Sequence, residues 1–294
     1  MNYWLWFSLI KNVGSRKKLK LLEIYKTPEK IYSLRAEELL KINGFGPETV
    51  KNILESKNES LINFHLKYMQ ENKIEIISIF EKEYPENLKN IYDPPVCLFI
   101  KGNKNILNNQ NIAIIGCRDC TEYGIKAAKY FGYNVAMKNI NVVSGLARGI
   151  DSYSHIGCLQ AEIDLHIKCS QTEMNNSQKS DVEFKICNEK NNEYSNENSY
   201  GKAIAVVGNG LDTIYPKENI KLAQNIIKSG GAIISEYPCG TKPEKMNFPA
   251  RNRIISGISS GVIVVEAKEK SGTLLTVDFA LEQGRDVFVV PRKY

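Results

Sequence analysis

The chain is 294 residues long, 43% hydrophobic and 24% charged, with a formal net charge of +6, which predicts two domains with sizeable cores. No run approaches the roughly 20 apolar residues of a membrane span, and the apolar start at 1–10 lacks the cationic lead and small-residue cleavage site of a signal peptide. Seven cysteines, an odd number in a chain this large, fit the reduced thiols of a cytoplasmic protein, and the lone pair Cys117 and Cys120 lacks the second pair that a zinc ribbon needs, so no metal is expected.

Residues 1–60 read as helices. Two segments resemble each other: Leu9 to Lys18, with its Val13-Gly14-Ser15 turn, and Leu40 to Val50, with Gly44-Phe45-Gly46-Pro47. The second has the form of a helix-hairpin-helix: an apolar helix, a Gly-apolar-Gly turn, then a new helix opened by Pro47. Glycines there let backbone N–H groups approach a phosphate, or the motif is a packing corner. A small helical domain over 1–68 is expected.

Residues 74–107 look extended, with strands at 74–79 and 96–100 separated by Tyr84-Pro85 and Pro94-Pro95. This reads as a connector joining the edge of the sheet that follows. From 111 the pattern alternates. Strands are expected at 112–115, 141–143, 203–207, 232–234, 262–265 and 287–290, and helices at 123–138, 218–229 and 273–283. Continuous apolar strands with helices between them predict a parallel sheet covered on both faces. Small or polar residues follow nearly every strand: Gly116-Cys117-Arg118, Ser144-Gly145, Gly208-Asn209-Gly210, Ser235-Glu236 and Ser271-Gly272-Thr273. Right-handed crossovers gather these turns on one rim, where open α/β sheets bind ligands.

Residues 162–200 interrupt the scheme. They are polar and low in complexity, with 4 basic against 8 acidic residues, so the rest of the chain carries +10. A poorly ordered surface insertion is expected there, within a second domain spanning 69–294. Its acidic charge would compete with a polyanion for the basic body.

Residues 235–260 hold the densest signal. Lys242, Lys245, Arg251 and Arg253 surround Phe248. Pro238, Pro243 and Pro249 argue against regular structure at first; a short helix from Ala250 would place Arg251 and Arg253 in its first turn. Cations there oppose the helix dipole unless an anion binds in front. Charge for phosphate and a ring for stacking are the ingredients of a single-strand groove; the other reading is a solvated loop with Phe248 tucked inward.

Several chemistries have no motif here. The turn after the first sheet strand is not G-x-G-x-x-G, no Walker sequence occurs, and there is no G-x-S-x-G elbow, so no cofactor is expected. Of three histidines, His65 and His166 fall outside the α/β pattern, and His155 reads as a satisfied core or surface residue. Asp151 reads as a helix cap and Asp212 as a turn residue. Glu236, Glu266 and Glu282 are the carboxylates that acid–base chemistry at the rim would use.

Taken in order, Gly116-Cys117-Arg118, Ser144-Gly145-Leu146-Ala147-Arg148-Gly149-Ile150-Asp151, Gly208-Asn209-Gly210-Leu211-Asp212 with Tyr215-Pro216, Ser235-Glu236-Tyr237-Pro238, Phe248 to Gly257, Ser271-Gly272-Thr273 and Ala280 to Arg285 resemble the DNA-processing protein A family over residues 111–291. The helical start resembles that family's SAM-like domain. The resemblance implies an extended Rossmann-like α/β fold behind a small SAM-like/helix-hairpin-helix domain. It also implies a non-enzymatic homodimer that binds single-stranded DNA, protects it and loads the RecA recombinase during natural transformation. It places the phosphate-binding arginine at Arg118, the groove lysine and aromatic at Lys245 and Phe248, and the Arg-Asn-Arg triplet at Arg251, Asn252 and Arg253. Lys242, Ser144 and Gly145 complete the expected nucleic-acid site, with no catalytic residue. Cys117 stands where the family usually has serine, the 162–200 segment is not a usual family feature, and many members continue past Val290-Pro291 into a winged-helix domain. One rival is a nucleotide phosphoribohydrolase of the lysine-decarboxylase-like (LOG) type, echoed by Ser271-Gly272-Thr273-Leu274 but without the preceding Pro-Gly-Gly. Another is a scaffold whose basic rim binds an acidic protein.

Overall fold

The computed structural model describes residues 2–176, 200–269 and 271–291, with the backbone alone for 166–176. Six helices open the chain: α1 (Tyr3–Leu9), α2 (Ser15–Tyr25), α3 (Pro28–Ser33), α4 (Ala36–Leu40), α5 (Pro47–Glu55) and α6 (Glu59–Glu71). The Gly44-Phe45-Gly46 turn joins α4 to α5, with Gly44 at φ +88°, Pro47 as the first residue of α5, and Phe45 buried between them. Gly44 is in the left-handed region that glycine alone enters without strain.

Eight strands then form one sheet: β1 (Ile74–Ser78), β2 (Cys97–Gly102), β3 (Asn111–Gly116), β4 (Asn141–Ser144), β5 (Ala203–Val207), β6 (Ala232–Ser235), β7 (Gly261–Glu266) and β8 (Asp286–Val289). Their order is β1-β2-β6-β5-β4-β3-β7-β8. The six from β6 to β8 are parallel; β1 and β2 add an antiparallel extension against β6. The expected parallel sheet is therefore mixed, with the 74–107 connector supplying its antiparallel edge. Strands β4, β5 and β6 are buried along their whole length, as apolar runs covered on both faces must be.

The chain steps one way from β3 through β6, then returns for β7 and β8. Right-handed crossovers therefore put α8 (Glu122–Ala136), α9 (Ile150–Asn176) and α10 (Ile220–Lys228) on one face, and α11 (Asn247–Gly257) and α12 (Gly272–Glu282) on the other. A short helix, α7 (Glu86–Lys89), lies in the β1–β2 connection. The carboxyl ends of β3 and β7 meet where the direction reverses, the switch point at which such sheets bind ligands.

Helices α8 and α9 cross closely because Gly132 and Gly157 face backbone: a Cβ on either would come within 2.2 Å of a carbonyl oxygen of the other helix. His155 of α9 is fully buried, and neither ring nitrogen has a hydrogen-bond partner among the described residues. It is a core histidine, but not the satisfied one expected; burial lowers its pKa to about 3. Helix α9 also corrects the reading of 162–200, because its backbone stays helical to Asn176. The rest of that expected insertion, 177–199, lies outside the described residues.

Candidate nucleic-acid interface

The β3–α8 loop carries Arg118 at the switch point. Its backbone is held from three directions. Cys117 N donates to the Glu266 carbonyl at 2.7 Å, and Ile150 N donates to the Cys117 carbonyl at 3.2 Å. The Glu266 carboxylate accepts from Thr121 N at 3.0 Å and from Thr121 Oγ1 at 3.2 Å. Gly149, at φ +75°, lies so close that a Cβ would be 2.3 Å from the carbonyl oxygens of Cys117 and Arg118. Thr121 caps α8 by accepting from Gly124 N. On this fixed loop the Arg118 side chain is exposed, and it makes no hydrogen bond or ion pair with any described residue. Its guanidinium carbon stands 5.9 Å from the centre of the Phe248 ring.

Phe248 arrives from the first turn of α11. That helix begins at Asn247, earlier than expected, because a proline is tolerated within a helix's first turn, where the missing N–H has no partner to lose. Arg251 and Arg253 are therefore a turn further in than the sequence suggested. Phe248 is half-buried. It lies against the turn after β5: a Cβ on Gly208 would be 3.1 Å from its Cδ1, and the Tyr215 ring lies 5.6 Å away, tilted by 30°. Lys245 is exposed in the turn that opens α11. Lys242 is exposed too, but it lines a separate cleft of about 1030 Å³ shared with Lys11, Phe64 and His65 of the helical region.

Beneath the rim the picture changes. Arg251 is 5% exposed. Its Nη1 donates to the Gly145 carbonyl at 2.8 Å and to the Val206 carbonyl. Burial, with the Arg118 charge as a lesser contributor, lowers its pKa to about 10 against the pull of Asp151. Asp151 is not the expected cap of α9. Its Oδ2 reaches back and accepts from Gly145 N at 3.0 Å and Ala147 N at 3.4 Å; burial raises its pKa, and Arg251 and these N–H groups oppose the rise. The Gly145 N–H is thus occupied within the fold. Ser144 is fully buried and donates to the Ile114 carbonyl at 2.7 Å.

Arg253 is 4% exposed. Its Nε donates to Asp93 at 3.0 Å and its Nη2 to Glu236 at 2.8 Å. Burial opposes its charge, but Glu236 and Asp93 more than offset that and hold its pKa above the usual arginine value. Asn252 donates to the Gly272 carbonyl at 3.2 Å and ties α11 to α12. Glu236 also accepts from Ser15 Oγ at 3.0 Å, which joins α2 to the same network. Arg251, Arg253, Ser144 and Gly145 therefore lie beneath the rim with internal partners, where the sequence reading had them facing a ligand, and half-buried Asn252 is tied to Gly272. Glu236 and Glu266 are likewise spent on internal partners. Among the described residues, no group of three or more His, Cys, Asp or Glu is placed to hold a metal ion, and no helix is long and apolar enough to cross a membrane.

Sequence reasoning brought Arg118 and Phe248 together only through a resemblance, and it missed Glu266 as the holder of Arg118's loop and Tyr215 as the partner of Phe248. The signal for Tyr215 was its place at the end of the glycine turn that follows a buried strand.

The model of a family described as DNA recombination-mediator protein A matches residues 75–167 and 194–294, breaking inside the acidic 162–200 segment. A SAM-like helix-hairpin-helix tandem matches residues 8–56. The DNA processing protein DprA of Bacillus subtilis (strain 168) is 40% identical over 223 residues, 76% of this chain and 62% of that protein. Protein Smf of Synechocystis sp. is 32% identical over 293 residues, 98% of this chain and 64% of that protein. The chain thus spans under two thirds of the length of these curated relatives. The X-ray structure of DNA processing protein A from Streptococcus pneumoniae covers 100% of this chain and 87% of its own, with a TM-score of 0.75 and 31% identity. DNA processing protein A from Helicobacter pylori, whose structure describes a single-stranded DNA binding mode, covers 75% of this chain and 82% of its own, with a TM-score of 0.57 and 25% identity.

Proposed function

The chain belongs to the DNA recombination-mediator protein A family, and from that premise we propose that it binds single-stranded DNA without regard to sequence, using the rim of the sheet around Arg118 and Phe248. The observation that carries this reading is an exposed guanidinium, free of hydrogen bonds and ion pairs among the described residues, beside an aromatic ring 5.9 Å away at the switch point. An arginine fork holds a phosphate with two parallel hydrogen bonds, and a ring beside it offers a face to an unstacked base. Lys245 adds charge in the same turn as Phe248, and Lys242 adds charge at the neighbouring cleft. None of these groups reads the edge of a base, so little sequence preference is expected. Arg251, Asn252, Arg253, Ser144 and Gly145 act by holding the loops that present the strand-binding side chains.

The role proposed is binding, with no chemical step: the protein shields an incoming single strand and hands it to the RecA recombinase in the cytoplasm. Two copies associate through the β8 edge. Support for that surface comes from Phe288 and Val289 on the strand and Leu281 beside it, exposed by 56%, 70% and 61%; an open, apolar edge strand is a pairing surface.

Binding of one oligonucleotide in single-stranded and duplex form, measured across a salt series, tests the reading. The expected result is a clear preference for the single strand and an affinity that falls by roughly 0.7 logarithmic units per phosphate neutralised for each tenfold rise in salt. Equal affinity for duplex, or no salt dependence, would contradict it.

A further inference from the structure

The turn after β5 touches Phe248 twice, through the backbone at Gly208 and through the Tyr215 ring. Tyr215 is 44% exposed while Phe248 is half-buried, so the outer ring of the pair is the tyrosine. The two rings are 5.6 Å apart and only 30° from parallel. This tilted contact brings two rings together at the rim, a wider aromatic surface than a lone phenylalanine. Arg118 stands at the same ring pair, its guanidinium 5.9 Å over the Phe248 ring and without a hydrogen bond or ion pair among the described residues. A base needs a ring within reach of solvent, and Tyr215 is the more exposed residue of the pair.

We propose that Tyr215 is a second base platform, extending the stack on Phe248 so that the site holds two consecutive unpaired bases beside the phosphate group on Arg118. This rests on the reading of the rim as a single-strand site. A tyrosine that merely covered Phe248 would be replaceable by any apolar side chain of similar reach; a platform requires a ring.

Three variants separate these roles. Tyr215→Leu keeps apolar cover and removes the ring, Tyr215→Phe keeps the ring and removes the hydroxyl, and Tyr215→Trp installs a fluorescent ring. With a short oligothymidine, Tyr215→Leu is expected to bind about tenfold more weakly with its salt slope unchanged, because stacking and not charge is removed. Tyr215→Phe is expected to match the parent, and the new indole of Tyr215→Trp is expected to be quenched at saturating oligonucleotide. A Tyr215→Leu protein that binds like the parent, an equal loss in Tyr215→Phe, or an unquenched indole in a Tyr215→Trp protein that does bind would each overturn the proposal. The unsubstituted protein is measured first: if it has no affinity for the oligonucleotide, the underlying reading falls and this one with it.

Discussion

The rim of the sheet and the layer just beneath it use the same residue types for opposite purposes. Arg118 is exposed on its loop, over the Phe248 ring and with no hydrogen bond or ion pair to a described residue. Arg251 and Arg253, close by, are 5% and 4% exposed; Arg251 gives its Nη1 to two carbonyls, and Arg253 gives Nε and Nη2 to carboxylates. A guanidinium left free at a switch point is available to an anion, whereas one sunk among carbonyl oxygens fixes loops. On the proposed reading the rim has two layers: exposed side chains, Arg118 with Lys245, to meet a ligand, and buried arginines, Arg251 and Arg253, that keep the loops in place. Substitutions in the lower layer should therefore act on folding, and substitutions on the rim on affinity alone.

The largest effect is expected for Arg253→Ala. It takes from half-buried Glu236 its charged partner and leaves the link between α2 and α11 without its centre, and losing hydrogen bonds to a charged group costs about 1.5–3 kcal/mol. A clear fall in Tm should accompany any loss of binding. An Arg253→Ala protein that melts like the parent but no longer binds would merge the two layers and break the distinction. Phe248→Ala comes next. It should weaken single-strand binding by about 1–3 kcal/mol and leave the salt slope nearly intact, as titrations at several salt concentrations would show. If slope and affinity fall together, Phe248 acts by holding the loop and belongs with the lower layer.

These contrasts explain what the sequence could and could not convey. The alternation from 111 onward announced β3 to β7, because buried parallel strands must be apolar along their length, and the apolar run at 287–290 announced β8 although that edge strand is largely exposed. The antiparallel pairing of β2 with β1 and β6 was not legible, since pairing direction depends on where the connector turns and not on its composition. Arg251 and Arg253 looked like surface cations because charged residues are rarely fully buried unless paired, and their partners Asp93, Gly145 and Val206 are distant in the chain. Asp151 sat where caps sit, yet its carboxylate turned back to the loop that Arg251 also grips. Arg118 and Phe248 are 130 residues apart in the chain, and only the fold of the rim brings them together.

A smaller effect lies away from the site, and it sharpens the comparison by giving burial a signature in pH. His155 is buried without partners, and its pKa is lowered to about 3, against about 6.5 for an unfolded histidine. The unfolded chain therefore binds the extra proton first. His155 should cost stability as pH falls from about 6.5 towards 3 and contribute no slope above that window. Thermal melts from pH 7 to pH 4 should show a shallower decline in His155→Leu than in the parent; superimposable profiles would assign the acid sensitivity to other groups.

The most direct test of the account is the slope of affinity against salt for Arg118→Ala. The rim reading predicts weaker binding of an unpaired oligonucleotide, an unchanged Tm, and a slope shallower by roughly 0.7 for each phosphate that the variant no longer neutralises. Parallel slopes for variant and parent would mean that Arg118 does not meet the strand, and the trough around Phe248 would have to be given up.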